Sequence, residues 1–160
     1  MSRSFRHLVI DAVDRLRFGE PIVVVSGLPR SGTSMLMNML EAGGMQVFVD
    51  DQRPADRDNT KGYFEYERVK GLETDPDKSW LRQARGKAIK IVSHLLRYLP
   101  SENRYLVLLA IRDLSEVLAS QNLMLARLNQ PNPVTDEKAL RLYERHLQSV
   151  RSLAGVRSNF

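Results

Sequence analysis

The sequence feature that most constrains the fold is an apolar run that leads into a turn with two glycines and then into a helix-forming segment. The run covers residues 22–26, the turn contains Gly27 and Gly32, and the helix-forming segment continues to about residue 42. Two glycines separated by four residues have the spacing of a P-loop, in which backbone N–H groups and the N-terminus of the next helix converge on a phosphate. We therefore predict a strand, an anion-binding loop and a helix over residues 22–42.

The cation of this loop is not where a nucleoside-triphosphate P-loop has it. Such a loop carries lysine directly after its second glycine, whereas this sequence has Thr33 there and places Arg30 inside the loop. The hydroxyl groups of Ser31, Thr33 and Ser34 add donors around the same point. Arg30 contributes a full positive charge and a planar set of N–H donors. We infer an anion other than a magnesium-bound triphosphate.

The composition is that of one soluble domain. The chain has 160 residues, of which 42% are hydrophobic, so we expect a single domain over residues 1–160. The absence of cysteine excludes disulfides and thiolate chemistry. The histidines His7, His94 and His146 lack metal-ligand spacing, and no metal site is predicted. No segment has the pattern of a membrane span or of a signal peptide, and we expect a cytoplasmic protein.

The charge balance favours an anionic partner without naming one. The formal net charge is +5 at pH 7, which attracts anions. The basic residues are scattered along the chain and form no long run. We interpret them mainly as solvated surface side chains and predict no nucleic-acid partner.

Hydrophobic periodicity predicts an alternation of helices and strands. The predicted elements are a helix over 4–18, the strand, loop and helix of 22–42, a strand over 45–49, a long loop over 50–66, a strand over 87–92, a strand and helix over 105–128, and a helix over 135–154. This alternation is typical of an α/β fold, with an open parallel sheet between helices on both faces in three layers. Because the pattern ends where another strand would begin, we expect a domain truncated at its C-terminus.

The strand compositions also predict burial. Residues 22–26 are apolar on both faces, as in a central strand of a parallel sheet. Residues 105–111 form the strongest apolar run, and we expect them to be fully buried. The methionine-rich helix after the loop has little polar surface, so we expect it to be mostly buried as well. The loop over 50–66 is long enough to be a substrate-binding loop.

Charged residues at strand ends predict a second part of the site. Lys90 lies inside an apolar run, and a position near the carboxyl end of that strand would bring it to the crevice above the sheet. Arg112 follows the strongest apolar run, and Ser120 lies in the next helix, roughly 10 Å farther along its axis. Since parallel strands end at one edge of a sheet, Arg112 and Ser120 form a second candidate phosphate site near Arg30. His94 follows Lys90, and the pattern alone favours a loop or helix-cap histidine.

These motifs resemble those of sulfotransferases. Residues 29–34 look like the 5′-phosphosulfate loop of that family, and Arg112 with Ser120 looks like its 3′-phosphate site. Two further segments are similar to bacterial sulfotransferase-like proteins, residues 58–65 and 86–96. The resemblance covers most of residues 22–128 and implies a P-loop NTPase-like sulfotransferase fold, with 3′-phosphoadenosine 5′-phosphosulfate (PAPS) as co-substrate and no metal. The residues that it assigns to PAPS are Arg30, Ser31, Gly32, Thr33, Ser34, Arg112 and Ser120.

The resemblance also implies which residues catalyse the transfer. Arg30 and the loop amides would stabilise charge on the leaving phosphate oxygen. Cytosolic sulfotransferases take the acceptor proton with a histidine that follows a strand-end lysine, which points to His94 and Lys90. This sequence has two more residues between that lysine and histidine. Other branches of the family use a carboxylate, which points to Asp51 or Glu65, although each also fits an ordinary surface carboxylate. Of these candidate bases we rank His94 first.

Two other classes of protein remain open at this point. One is a kinase-like P-loop enzyme that uses ATP and magnesium. Thr33, where such an enzyme has lysine, argues against this class. The other is a non-catalytic domain that only binds a nucleotide or another anion. For a sulfotransferase, the acceptor would be a small molecule or a glycan, bound by the loops over 50–66 and 129–135.

Overall fold

A computed structural model describes residues 15–50, 63–130 and 133–160 of the chain. Residues 15–18 are helical and agree with the end of the helix predicted over 4–18. The rest of that predicted helix lies outside the described residues. So do Asp51 and most of the predicted substrate loop.

The core is a three-stranded parallel sheet. The strands are β1 (Ile22–Gly27), β2 (Ala88–Val92) and β3 (Tyr105–Ala110), and their order is β2-β1-β3. All six residues of β1 are buried, which confirms the prediction of a central strand. Because the three strands are parallel, their carboxyl ends meet at one edge of the sheet.

Helices follow the strands in chain order. The α-helices are α1 (Thr33–Ala42), α2 (Leu114–Arg127) and α3 (Asp136–Val156), and shorter 3₁₀ segments cover Glu67–Gly71, Ser79–Ala84 and Ser93–Tyr98. Asp113, with Glu116 three residues later, predicts a helix start. The Asp113 side chain accepts hydrogen bonds from the backbone N–H groups of Ser115 and Glu116, which confirms this start of α2. The α/β class is confirmed too. No helix in the described ranges is long and apolar enough to cross a membrane.

Helical segments pack on both faces of the sheet. On one face Val23 and Val25 of β1 contact Met37 of α1. On the other face the side chains that alternate with them, Ile22 and Val24, join a larger cluster with the 3₁₀ segments and α3. Alternate side chains of β1 therefore pack into two separate hydrophobic clusters, one on each face of the sheet. For this reason the sequence of β1 is apolar throughout.

Two predictions of burial are wrong. On β3, Leu106 is 48% and Leu108 42% exposed, because β3 is an edge strand and α1 packs over β1 and β2. In α1 only Met37 is buried, while Met35 and Met39 are each 61% exposed. A helix on a narrow sheet buries one stripe, so an apolar sequence does not make the whole helix part of the core.

The segment predicted as a strand over 45–49 forms a single β-bridge in the structure. Val47 pairs with Ala88 of β2, and the backbone N–H of Phe48 donates to the Ala88 carbonyl at 2.7 Å. Beyond this bridge the chain pairs with the end of the loop instead of the sheet: the N–H of Asp50 donates to the carbonyl of Glu65 at 3.1 Å. This contact brings the end of the predicted substrate loop to the carboxyl edge of the sheet.

Candidate functional site

A cavity of about 430 Å³ lies at the carboxyl edge of the sheet. The loop after β1, the first turn of α1, the end of β2, Arg112 just before α2 and the middle turns of α2 all contribute to its walls. The lining residues are Gly27, Leu28, Pro29, Arg30, Gly32, Thr33, Ser34, Tyr63, Glu65, Lys90, Ile91, Val92, Arg112, Ser120 and Met124. Ligands of open α/β sheets bind at this position, beyond the carboxyl ends of the strands.

The loop has the backbone of an anion-binding turn. Arg30 has φ 69° and Gly32 has φ 98°, so the chain is left-handed at both positions. Gly32 is the N-cap of α1 and no side chain caps that helix, so its first N–H groups have no intrahelical acceptor. At Gly27 a Cβ atom would lie 2.9 Å from the carbonyl oxygen of Ala110 on β3. Only glycine lets the loop pass that close to the neighbouring strand.

Ser31 has a structural contact inside the loop. Its hydroxyl donates to the carbonyl of Leu28 at 2.7 Å, and the residue is 9% exposed. Ser31 is not among the residues that line the cavity, whereas Thr33 and Ser34 are. The sequence motif groups the three hydroxyls, and the structure separates the first from the other two.

The two predicted phosphate sites meet directly. The Arg30 Nε donates to the Ser120 Oγ at 3.0 Å. The Arg112 Nη1 donates to the carbonyl oxygen of Arg30 at 3.3 Å, while its Nε donates to Glu116 Oε2 at 2.8 Å. Residues separated by 90 positions in the chain thus form one wall of the cavity. This wall presents two guanidinium groups and one hydroxyl.

Lys90 and Glu65 form the opposite part of the cavity. The Lys90 Nζ lies 3.7 Å from Glu65 Oε1 and 3.3 Å from Ser34 Oγ, and it also donates to the Tyr63 carbonyl oxygen. The side chains of Lys90 and Glu65 are 11% and 21% exposed. The charge that the sequence places inside a buried strand therefore lies in the crevice, held by a carboxylate, a carbonyl and a hydroxyl.

The structure does not bring His94 to this cavity. His94 is exposed on the 3₁₀ segment Ser93–Tyr98 and is not a lining residue. The chain changes from a strand to a 3₁₀ helix after Val92, so the side chains that follow no longer alternate between the two faces of the sheet. Of the three candidate bases, Glu65 lies in the cavity, and Asp51 is outside the described residues.

Sequence reasoning missed two contributors to the site. The Tyr63 residue is 7% exposed and brings its carbonyl oxygen to Lys90. Met124 lines the cavity one helical turn after Ser120. The spacing of four residues from Ser120 could have indicated Met124, because such residues lie on the same face of a helix.

The charges around the cavity suit a polyanion. Among the described residues, Arg30, Lys90 and Arg112 line it, against one lining carboxylate, that of Glu65. In the ranges that the structure describes, no group of three or more histidine or acidic side chains could hold a metal ion. Arginine forks, hydroxyls and the start of a helix are groups that bind phosphate and sulfate oxygens. Comparison of the chain with protein-family models, with curated proteins and with solved protein structures finds no match in any of the three.

Proposed function

We propose that this protein is a sulfotransferase that binds PAPS in the cavity and transfers its sulfuryl group to a hydroxyl or amine of a small-molecule or glycan acceptor. One observation carries the proposal: the loop of Arg30 and the pair Arg112 and Ser120 open into the same cavity and contact one another. PAPS has anionic groups at both ends of its ribose, and two adjacent cationic sites match that arrangement. We extend the proposal to the fold, which would be the sulfotransferase type of P-loop fold.

The loop and the first turn of α1 would hold the 5′-phosphosulfate. The N–H groups at the start of α1 and the Arg30 guanidinium supply positive charge where the leaving phosphate gains negative charge. Thr33 and Ser34 line the cavity beside them and can donate their hydroxyls. Arg112 and Ser120 would hold the 3′-phosphate, so the donor spans the wall that these residues build.

Glu65 is the base that the geometry favours. When an acceptor oxygen attacks sulfur, its proton must go to a nearby group as the bond from sulfur to the phosphate oxygen breaks. Glu65 lines the cavity, and Lys90, at 3.7 Å, holds its carboxylate in place. His94 lies on the exposed side of the 3₁₀ segment, so we assign it no proton transfer.

Calorimetric titration with 3′,5′-ADP in the presence of EDTA tests the binding part. We expect saturable binding without magnesium. Arg112→Ala should weaken this binding by about 1.5 kcal/mol, roughly tenfold, at the low end for a charged hydrogen bond because Arg112 already pairs with Glu116. Arg141→Ala removes an exposed arginine of α3 that pairs with Glu137 and should leave the affinity unchanged. Binding of ATP only with magnesium would overturn the proposal in favour of a kinase-like enzyme.

A second comparison separates binding from catalysis. Adenosine 5′-phosphate lacks the 3′-phosphate, so Arg112→Ala should weaken its binding much less than that of 3′,5′-ADP, and only through the contact of Arg112 with the Arg30 carbonyl. With labelled PAPS and a cell extract, mass spectrometry should show sulfated products, and Glu65→Gln should abolish them without changing the affinity for 3′,5′-ADP. His94→Ala should retain them. Binding of 3′,5′-ADP without any transfer to extract components would support the non-catalytic alternative.

A further inference from the structure

A second cavity, of about 330 Å³, lies between the 3₁₀ segment Ser93–Tyr98 and the C-terminal half of α3. It shares no lining residue with the candidate sulfuryl-transfer site. Val92 lines the first cavity and Ser93 lines the second, so adjacent residues at the end of β2 serve two different cavities. Nothing in the proposed transfer uses the second one.

The polar groups of this second cavity are hydroxyls and a guanidinium. Ser93, Ser149 and Ser152 contribute the hydroxyls, of which Ser152 already donates to the Gln148 carbonyl oxygen at 3.1 Å, and Arg97 contributes the charge. Among the residues that the structure describes, no carboxylate forms an ion pair with Arg97. The lining that the described part of the chain provides contains no acidic residue. Hydroxyl donors around an arginine fork are suited to an oxyanion with more than two oxygens.

His146 connects this cavity to the packing of α3. Its Nε2 lies 2.7 Å from the Ser93 Oγ, and Ser93 is 2% exposed. Burial lowers the pKa of His146 below its usual value, and the charges of His94 and Arg97 lower it further. These two side chains, both on the 3₁₀ segment, are the charged groups that face the imidazole. The site is therefore electropositive and becomes more so when the imidazole is protonated.

We propose that this cavity is a second anion-binding site, which takes a tetrahedral oxyanion, sulfate or phosphate, either as the inorganic ion or as the end group of a small ester. Arg97 holds the oxyanion with the cavity hydroxyls. When His146 carries a proton on Nε2, it donates to the Ser93 Oγ, and the Ser93 hydroxyl proton is then available to the anion. When Nε2 is unprotonated, Ser93 donates to the imidazole instead and cannot donate to the anion.

This hydrogen-bond relay links anion binding to the protonation of His146. The anion favours the protonated imidazole because it offsets the repulsion from His94 and Arg97, and through Ser93 it also disfavours the neutral tautomer that carries its proton on Nδ1. By linkage, the bound anion raises the pKa of His146, and the affinity for the anion rises as the pH falls through that pKa. The shift in the pKa of His146 and the change in anion affinity with pH therefore report the same coupling free energy.

An NMR titration of the histidine ring signals with sodium sulfate tests this site. Sulfate keeps its charge over the relevant pH range, so any pH dependence comes from the protein. The chain has three histidines, and His146→Gln identifies the signal. We expect saturable sulfate binding that raises the pKa of His146 by roughly half a unit or more, which corresponds to about threefold tighter binding to the protonated form.

Two variants distinguish this site from the first cavity. Arg97→Gln changes an exposed side chain and should abolish the sulfate response of His146. Arg30→Ala removes a cation of the other cavity and should leave that response intact. The proposal is overturned if sodium chloride at the same ionic strength shifts the pKa of His146 equally, if Arg97→Gln responds like the unmodified protein, or if sulfate produces no response. These outcomes are independent of whether 3′,5′-ADP binds in the first cavity.

Discussion

Replacing Lys90 by methionine should destabilise the protein strongly, because it removes a cation that contacts the partly buried Glu65 carboxylate and leaves the more exposed Lys70, 4.0 Å away, as a weaker partner. The Lys90 Nζ contacts Glu65 at 3.7 Å and Ser34 at 3.3 Å, and it also donates to the Tyr63 carbonyl. Removing one partner of a buried ion pair costs about 3–5 kcal/mol. Glu65 is 21% exposed, so water can reach it, and we expect a loss of about 2–3 kcal/mol in the free energy of unfolding.

The same loss can be expressed as a melting temperature. The entropy of unfolding is about 2.1 cal/mol/K per residue near 60 °C, so for this chain 1 kcal/mol corresponds to about 3 °C. Lys90→Met should therefore lower Tm by roughly 6–9 °C. Lys138→Met, which removes an exposed lysine of α3, is the matched control and should change the free energy of unfolding by less than about 0.5 kcal/mol.

A double-mutant cycle assigns this loss to the pair. Glu65→Gln alone removes the carboxylate charge and should cost about 1 kcal/mol. In the double variant the methionine no longer faces a carboxylate, so the losses should not add, and the coupling energy should exceed about 1 kcal/mol. Urea unfolding followed by circular dichroism measures all four corners. A Lys90→Met protein within about 0.5 kcal/mol of the unmodified one, or additive losses, would refute the reasoning.

Three further predictions concern single residues. In urea unfolding, the free energy of unfolding of Arg30→Gly should exceed that of Arg30→Ala by about 1 kcal/mol. The reason is that φ at this position is 69°, and only glycine adopts that conformation without strain. Asp113→Ala should cost about 1 kcal/mol in chemical unfolding, since its carboxylate accepts two N–H groups at the start of α2, and Asp113→Asn should restore most of it. Burial raises the pKa of Tyr105 to about 12, so the unfolded chain loses the phenol proton first and stability should fall as the pH rises from about 10 to about 12. In Tyr105→Phe this alkaline loss should be smaller, with the remainder due to Tyr98 and Tyr143, whose pKa values are also raised, whereas an unchanged pH profile would contradict the assignment.

The local parts of the fold can be predicted from the sequence. The apolar run of β1, the two glycines after it and the start of α2 at Asp113 are each specified by neighbouring residues, and the structure has them where the pattern puts them. The helix predicted over 135–154 is observed as Asp136–Val156. Such features depend on backbone propensity, capping and short-range periodicity, which the chain carries locally.

Features that depend on distant neighbours could not be predicted in the same way. The burial of β3 depends on its place at the edge of the sheet, and the composition of one strand does not predict the order of the strands. The position of His94 relative to Lys90 depends on where a strand with period two gives way to a 3₁₀ helix with period three. Glu65 reaches the cavity because the backbone of Asp50 pairs with it, and no local pattern around Glu65 contains that contact.

The contact between Arg30 and Ser120 joins the β1 loop to α2 within the candidate site. A left-handed arginine in a loop is a mobile cation unless something fixes its side chain, and here the Ser120 hydroxyl accepts from its Nε at 3.0 Å. Arg112 fixes the same residue from the backbone side through the Arg30 carbonyl. Ser120 in the middle of α2 and Arg112 just before this helix therefore position the cation of the β1 loop before any ligand binds. Part of the ordering entropy that a ligand would otherwise lose is already offset by folding, so in the proposed site a change at Ser120 should weaken anion binding at Arg30 as well as at Ser120.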